Sequence, residues 1–144
     1  MTHLVDRLAE LRRHLRHVRS LAPRVTSSDD LVRDMSLHND VLFSLLMISQ
    51  LVIDIAGELS ARNGLAFDDY TTAVRNLVRL DVPAELVEGL EPLPGFRNVL
   101  LHDYVTIDLD RAVEAMRRLD PIESFVGIVA RMESDGGGAP PDPD

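Results

Sequence analysis

A chain of 144 residues with 45% apolar side chains is long enough to bury one core and short enough to be a single domain. It contains no cysteine, which excludes a disulfide framework, thiolate metal ligation and cysteine catalysis. A net charge of −9 argues against a protein that coats nucleic acid nonspecifically, because phosphate affinity grows with the number of cations brought to the backbone.

The charge is uneven. Residues 1–24 hold six arginines (Arg7, Arg12, Arg13, Arg16, Arg19, Arg24) against Asp6 and Glu10, a net +4 that leaves −13 for the remainder. All fifteen basic residues are arginine. The first ten residues lack the apolar run of a signal peptide, and the most apolar stretch, Val41 to Ala56, is interrupted by Ser44, Ser49, Gln50 and Asp54. These features predict a cytoplasmic protein with no membrane span.

Leu4, Leu8, Leu11, Leu15 and Val18 recur at steps of four and three, one apolar stripe on a first helix with the arginines on its other faces. Pro23 and the polar run Thr26, Ser27, Ser28 break the pattern. Ser27 or Ser28, followed by Asp29 and Asp30, predicts the start of a long second helix reaching Arg62. Its apolar positions, from Leu31 and Met35 to Leu59, are too broad for one seam, so it should contact two neighbours, one of them from another subunit.

Asn63-Gly64 is the expected stop, because both residues tolerate the left-handed conformation of a helix C-cap. Asp68 or Asp69 should cap a third helix through Tyr70, Val74, Leu77 and Val78, ending near Asp81. Pro83 then suits the first turn of a short fourth helix with Leu86, Val87 and Leu90. Pro92 and Pro94 forbid its continuation, and Gly95 to Tyr104 reads as a fresh helical segment anchored by Phe96, Val99 and Leu100. Asp108 should cap a last helix carrying Val113, Met116, Leu119 and Val129, with a kink or break at Pro121. The expected fold is all-α, an up-and-down bundle of about five helices. Residues 1–133 form its single domain, and from Ser134 the Gly, Pro and Asp density predicts a flexible tail over 134–144.

An arginine five positions ahead of a histidine occurs three times: Arg12 to His17, Arg33 to His38 and Arg97 to His102. Chance placement alone gives about 0.5 such matches, so the bare spacing carries little. Requiring a tyrosine two residues beyond the histidine lowers the expectation to under about 0.01. Only Arg97, His102 and Tyr104 meet it. At about 100° per residue, Arg97 and His102 stand roughly 140° apart on an ideal helix. The helix must therefore end or unwind near His102, or a second subunit must complete the site.

The stretch Gly95-Phe96-Arg97-Asn98-Val99-Leu100-Leu101-His102-Asp103-Tyr104 resembles the signature of HepT-like toxins of the HEPN superfamily, including the polar residue after the arginine and, further on, Asp108. The likeness covers most of residues 28–125. It implies a two-fold homodimer whose paired motifs line a cleft, and a type II toxin–antitoxin role as a metal-independent endoribonuclease. Arg97 and His102 would be catalytic, with Asn98 in support. Tyr104 would be the acceptor onto which an MNT-type nucleotidyltransferase antitoxin adds AMP, placing negative charge and bulk beside the phosphate site. RNA is the implied substrate, and no cofactor or metal is implied.

The residue types suit that chemistry. Cutting RNA without a metal needs a base for the 2′-OH, an acid for the leaving 5′-oxygen and a cation for the phosphate; histidine serves the first two near neutral pH and arginine's fork the third. Asp54, set among Ile53, Ile55 and Ala56, is read as turned to solvent or hydrogen-bonded, with a partner-orienting role as the functional alternative. His14 and His17 lack a further evident ligand and are read as a solvated face. The alternative function is a non-catalytic dimeric accessory subunit of a nucleotidyltransferase, which the acidic balance and the prolines before the motif favour.

Overall fold

The computed structural model describes residues 3–137. Eight α-helices are present among them: α1 (His3–Leu21), α2 (Ser28–Arg33), α3 (Met35–Arg62), α4 (Tyr70–Arg75), α5 (Ala84–Leu90), α6 (Leu93–His102), α7 (Leu109–Met116) and α8 (Asp120–Gly137). Short 3-10 turns at Ala22–Arg24, Asn76–Leu80 and Tyr104–Thr106 join them. No strand occurs among the described residues, and the all-α class is as expected.

The expected segments are all found, but three of them are divided. The predicted second helix breaks at Asp34, whose extended backbone (φ −128°, ψ 103°) ends α2 while its carboxylate accepts from the Leu37 N–H to cap α3. The third continues from α4 as a 3-10 turn and ends at Asp81, which is left-handed (φ 67°). The last separates into α7 and α8, with Pro121 in the first turn of α8, where a missing N–H costs nothing. Pro92 and Pro94 act likewise. They open α6 at Leu93, two residues ahead of the predicted start. Helix α8 runs through Gly137, beyond the boundary set at Ser134, and residues 138–144 of the predicted tail lie outside the described residues.

The predicted caps are in place. Asn63 ends α3 and Gly64 is left-handed (φ 69°), so that Gly64 N–H reaches Ala61 O and Leu65 N–H reaches Ser60 O. These two bonds satisfy carbonyls that the last turn would otherwise leave open. Asp69 accepts from Thr72 N–H at 2.7 Å, and Asp108 from Asp110 N–H at 2.9 Å.

Helix α3 is the centre of the bundle. It packs against α1, α2, α4, α6 and α7, which explains why fourteen of its residues are buried. Its length and composition would also suit a membrane span, but 61% of the apolar window is buried within the bundle. The cross-links Arg7–Glu58, His14–Ser44 and His17–Asp40 run α1 antiparallel to α3. Arg97–Gln50 and Tyr104–Asn39 do the same for α6. Arg19 binds Asp120 and Glu123, while Arg62 reaches Glu133, so α8 lies antiparallel to α1. The result is the expected up-and-down arrangement, with Leu4, Leu11, Leu42, Ile48, Leu100 and Phe125 among the fully buried side chains.

Candidate functional site

Two helices build the site. Helix α6 buries Phe96 and Leu100 in the core, and this pins the phase of the residues between them. Arg97 is half-buried as a result, while Asn98, Leu101 and His102 face outward. Opposite lies a stripe of α3 that the core does not cover, with Asn39 and Phe43 exposed and Leu46, Met47, Gln50 and Asp54 half-buried.

Arg97 is held by three groups. Its Nε donates to Gln50 Oε1 at 2.7 Å, one terminal nitrogen donates to Asn98 Oδ1 at 3.0 Å, and the guanidinium lies over the Tyr70 ring, 5.3 Å from its centroid. None of the three is an anion, although the protein carries 24 acidic residues. Gln50 in turn donates from Nε2 to Asp54 Oδ1 at 2.9 Å. The order along this relay is fixed chemically. Arginine can only donate and a carboxylate only accept, so the amide must turn its oxygen to Arg97 and its nitrogen to Asp54.

His102 is the last residue of α6, with Asp103 as the cap. It is exposed at the end of the helix, one of the two arrangements that the phase argument allows, the other being a second subunit that completes the site. Tyr104 opens the following 3-10 turn and remains 37% exposed. Its hydroxyl donates to Asn39 Oδ1 at 3.1 Å, and its ring meets His38 edge-on at 5.7 Å between centroids. Burial pushes the Tyr104 phenol's pKa up, so the hydroxyl stays protonated at neutral pH.

The predicted residues are therefore brought together unequally. Arg97 and Asn98 bond directly, and Asp54 joins them through Gln50. Tyr104 instead belongs to a second cluster with His38 and Asn39, and His102 is exposed at the helix end, in neither cluster. Gln50, Tyr70, His38 and Asn39 were absent from the predicted set. A signal for Gln50 existed, since glutamine four residues ahead of aspartate is a bonding pair on a helix face. His38 belonged to one of the arginine-to-histidine matches discounted as chance.

No group of three or more His, Cys, Asp or Glu side chains that could hold a metal occurs among the described residues. A cleft of about 510 Å³ lined by Glu88, Leu93, Phe96, Arg111 and Pro121 includes none of the predicted site residues. Its walls offer carboxylates and arginines in mixture and no histidine.

The family model described as "Ribonuclease HepT-like" matches residues 11–129. The chain belongs to the HepT-like ribonuclease family. Among curated proteins it is similar to the mRNA nuclease HepT of Shewanella oneidensis, with 21% identity over 132 residues covering 88% of this chain and 95% of the relative. Two solved structures share the HepT-like fold. One is a tri-AMPylated Shewanella oneidensis HEPN toxin in complex with an MNT antitoxin, with TM-score 0.77, 19% identity, and 91% of this chain and 98% of that chain covered. The other is a toxin–antitoxin complex with AMP-PNP, with TM-score 0.77, 19% identity, and coverage of 89% and 97%. The HepT-like match contains α3, α6 and the 3-10 turn that follows α6 entire, and hence every predicted site residue.

Proposed function

We propose that this protein is the toxin of a HepT/MNT-type toxin–antitoxin pair, a cytoplasmic endoribonuclease that cleaves RNA without a metal through Arg97 and His102. The observation that carries the reading is the setting of Arg97. An arginine fixed by neutral partners keeps its full charge for an incoming phosphate, and its second terminal nitrogen makes no hydrogen bond among the described residues. His102, unbonded at the helix end, is free to meet the scissile linkage.

In the proposed reaction the 2′-oxygen attacks phosphorus as His102 takes its proton, and the P–O5′ bond breaks as the leaving oxygen is protonated. The products are a 2′,3′-cyclic phosphate and a 5′-hydroxyl. Arg97 stabilises the charge that builds on the non-bridging oxygens. Two-fold pairing would supply the second histidine that acid–base division calls for. The exposed Leu101 and Val105, the latter 95% accessible, offer apolar surface beside the motif for such a partner.

Tyr104 is the proposed AMP acceptor. Its oxygen would attack the α-phosphorus of ATP and release pyrophosphate; because the phenol stays protonated, the antitoxin must supply the base. The added phosphate would sit within the same face that receives RNA and repel it.

The test is RNA cleavage by purified protein in EDTA. Wild type should cleave and His102→Ala should not; equal activity in both would identify a contaminant. The alternative, a non-catalytic accessory subunit of a nucleotidyltransferase, draws on the absence of any bond between Arg97 and His102 within one chain. It predicts that neither protein cleaves.

A further inference from the structure

The first 24 residues concentrate positive charge in an acidic protein, and the fold separates their arginines by use. Arg7, Arg19 and Arg24 are tied to carboxylates of other segments, Glu58, Asp120 with Glu123, and Asp34 respectively. Arg13 has only Glu10 of its own helix, in an exposed pair at 3.0 Å, and Arg16 has no ion pair among the described residues. Arg13, Arg16 and His17 share one side of α1 by their spacing of three and four. They line a cleft of about 480 Å³ against α3, whose opposite wall is Phe43, Ser44 and Asp40.

We propose that this cleft between α1 and α3 is a second contact site for single-stranded RNA, with Arg13 and Arg16 on a backbone phosphate and Phe43 under a base. The proposal rests on the ribonuclease reading and adds a substrate-holding site to it.

The chemistry matches that ligand. Phe43 presents a ring that is 55% exposed, an unusual position for an aromatic side chain unless something covers it. His14 meets it edge-on at 5.9 Å and is itself held by Ser44 Oγ at 3.0 Å from Nδ1, so the platform is fixed in place. An exposed aromatic beside arginines is the combination that grips single strands, because every base has a face to stack and every linkage a charge to meet. Burial pushes the His14 pKa down, so His14 serves the cleft as a neutral support for the Phe43 ring. One carboxylate, Asp40, lines the cleft, and a second, Glu10, touches side chains that line it. Asp40 lies 3.8 Å from His17, and Glu10 is occupied by Arg13 and by His14 at 3.7 Å. An exposed pair such as Arg13–Glu10 is weakly held, so a phosphate can displace it.

The position also fits. Phe43 stands one turn along α3 from Asn39, which holds the Tyr104 hydroxyl on the opposite flank. With α3 between α1 and α6, and packed helices about 8–10 Å apart, the cleft lies within roughly 20 Å of the end of α6. A strand cut at His102 needs only a few nucleotides to reach it.

The experiment measures binding of a labelled single-stranded oligoribonucleotide across a salt series, in a His102→Ala background that cannot cleave. Arg13→Ala/Arg16→Ala should lower the magnitude of the slope of log K against log salt by about 0.7 for each phosphate no longer neutralised. Phe43→Leu, which keeps apolar bulk without a ring, should weaken binding about five- to hundredfold. In the active protein, the double arginine variant should raise KM for long RNA and leave dinucleotide cleavage unchanged. Arg79→Ala/Arg118→Ala removes the same charge elsewhere and should change none of these.

An unchanged slope and KM in the double variant would overturn the proposal, as would an equal loss in the distant control. Unchanged RNA binding with weakened association of a co-expressed nucleotidyltransferase would assign the cleft to a protein partner instead. Absence of cleavage by wild type defeats the ribonuclease reading separately, because the salt series reads binding alone.

Discussion

Replacing Gln50 with leucine tests whether Arg97 works because it is held. The change keeps the side chain's bulk and removes both hydrogen bonds, the one accepted from Arg97 Nε at 2.7 Å and the one donated to Asp54 at 2.9 Å. A hydrogen bond to a charged group contributes about 1.5–3 kcal/mol, and each 1.36 kcal/mol is tenfold in rate. Loss of kcat should therefore be about ten- to hundredfold, with KM changed much less, since the held guanidinium matters most where phosphate charge develops. Gln50 is only half-buried, so the melting temperature should move little. Gln50→Glu makes the complementary point. It retains an acceptor for Arg97 but adds a counter-charge and a second carboxylate beside Asp54, so it should raise KM. Single-turnover cleavage of a defined RNA, with circular dichroism to confirm folding, reads both. Activity of Gln50→Leu within twofold of wild type, alongside an inactive Arg97→Ala, would refute the positioning role.

Two further outcomes follow from local geometry. Tyr104→Phe keeps the ring against His38 and loses only the bond to Asn39; it should still cleave RNA but acquire no AMP when incubated with the cognate antitoxin and ATP. Intact-mass spectrometry decides this, and AMP on the phenylalanine variant would remove Tyr104 as the acceptor. Asp30 accepts from the N–H and hydroxyl of Thr26, the N–H of Ser27 and the guanidinium of Arg33, which together lower its pKa to about 2. A depressed carboxylate stabilises the fold above its unfolded value near 3.9 and ceases to do so as pH falls through its folded value. Urea midpoints should thus decline between about pH 4 and 2, less steeply in Asp30→Asn; an identical decline would show that the α2 cap does not contribute.

The sequence revealed what depends on neighbours along the chain. The stripe Leu4, Leu8, Leu11, Leu15, Val18 is buried as a set, and Asn63-Gly64, Asp69 and Asp108 end or begin helices through side-chain and backbone chemistry that short spacing dictates. The division at Asp34 was not legible. No proline or glycine marks it, and aspartate reads equally well as a first-turn acid until its extended backbone is seen. The site divides along the same line. Arg97, His102 and Tyr104 stand out by mutual spacing within ten residues, whereas Gln50 and Asn39 meet them only through the antiparallel register of α3 and α6. His38 shows the cost of discounting a motif on frequency alone, since its contact with Tyr104 spans 66 positions of chain and no local pattern encodes it.

The proline pair at the start of α6 gives the motif a zero mark. Helix α6 does not lengthen backward past Pro92, and its forward end falls on His102, so the interval from that proline to the histidine is a ruler ten residues long. A residue inserted ahead of Pro92 is absorbed by the connection to α5 and leaves both side chains where they are. The same insertion between Arg97 and His102 would swing the histidine by about 100° and carry it past the fold's edge. A change of length in this chain is thus free upstream of the prolines and constrained, residue by residue, downstream of them.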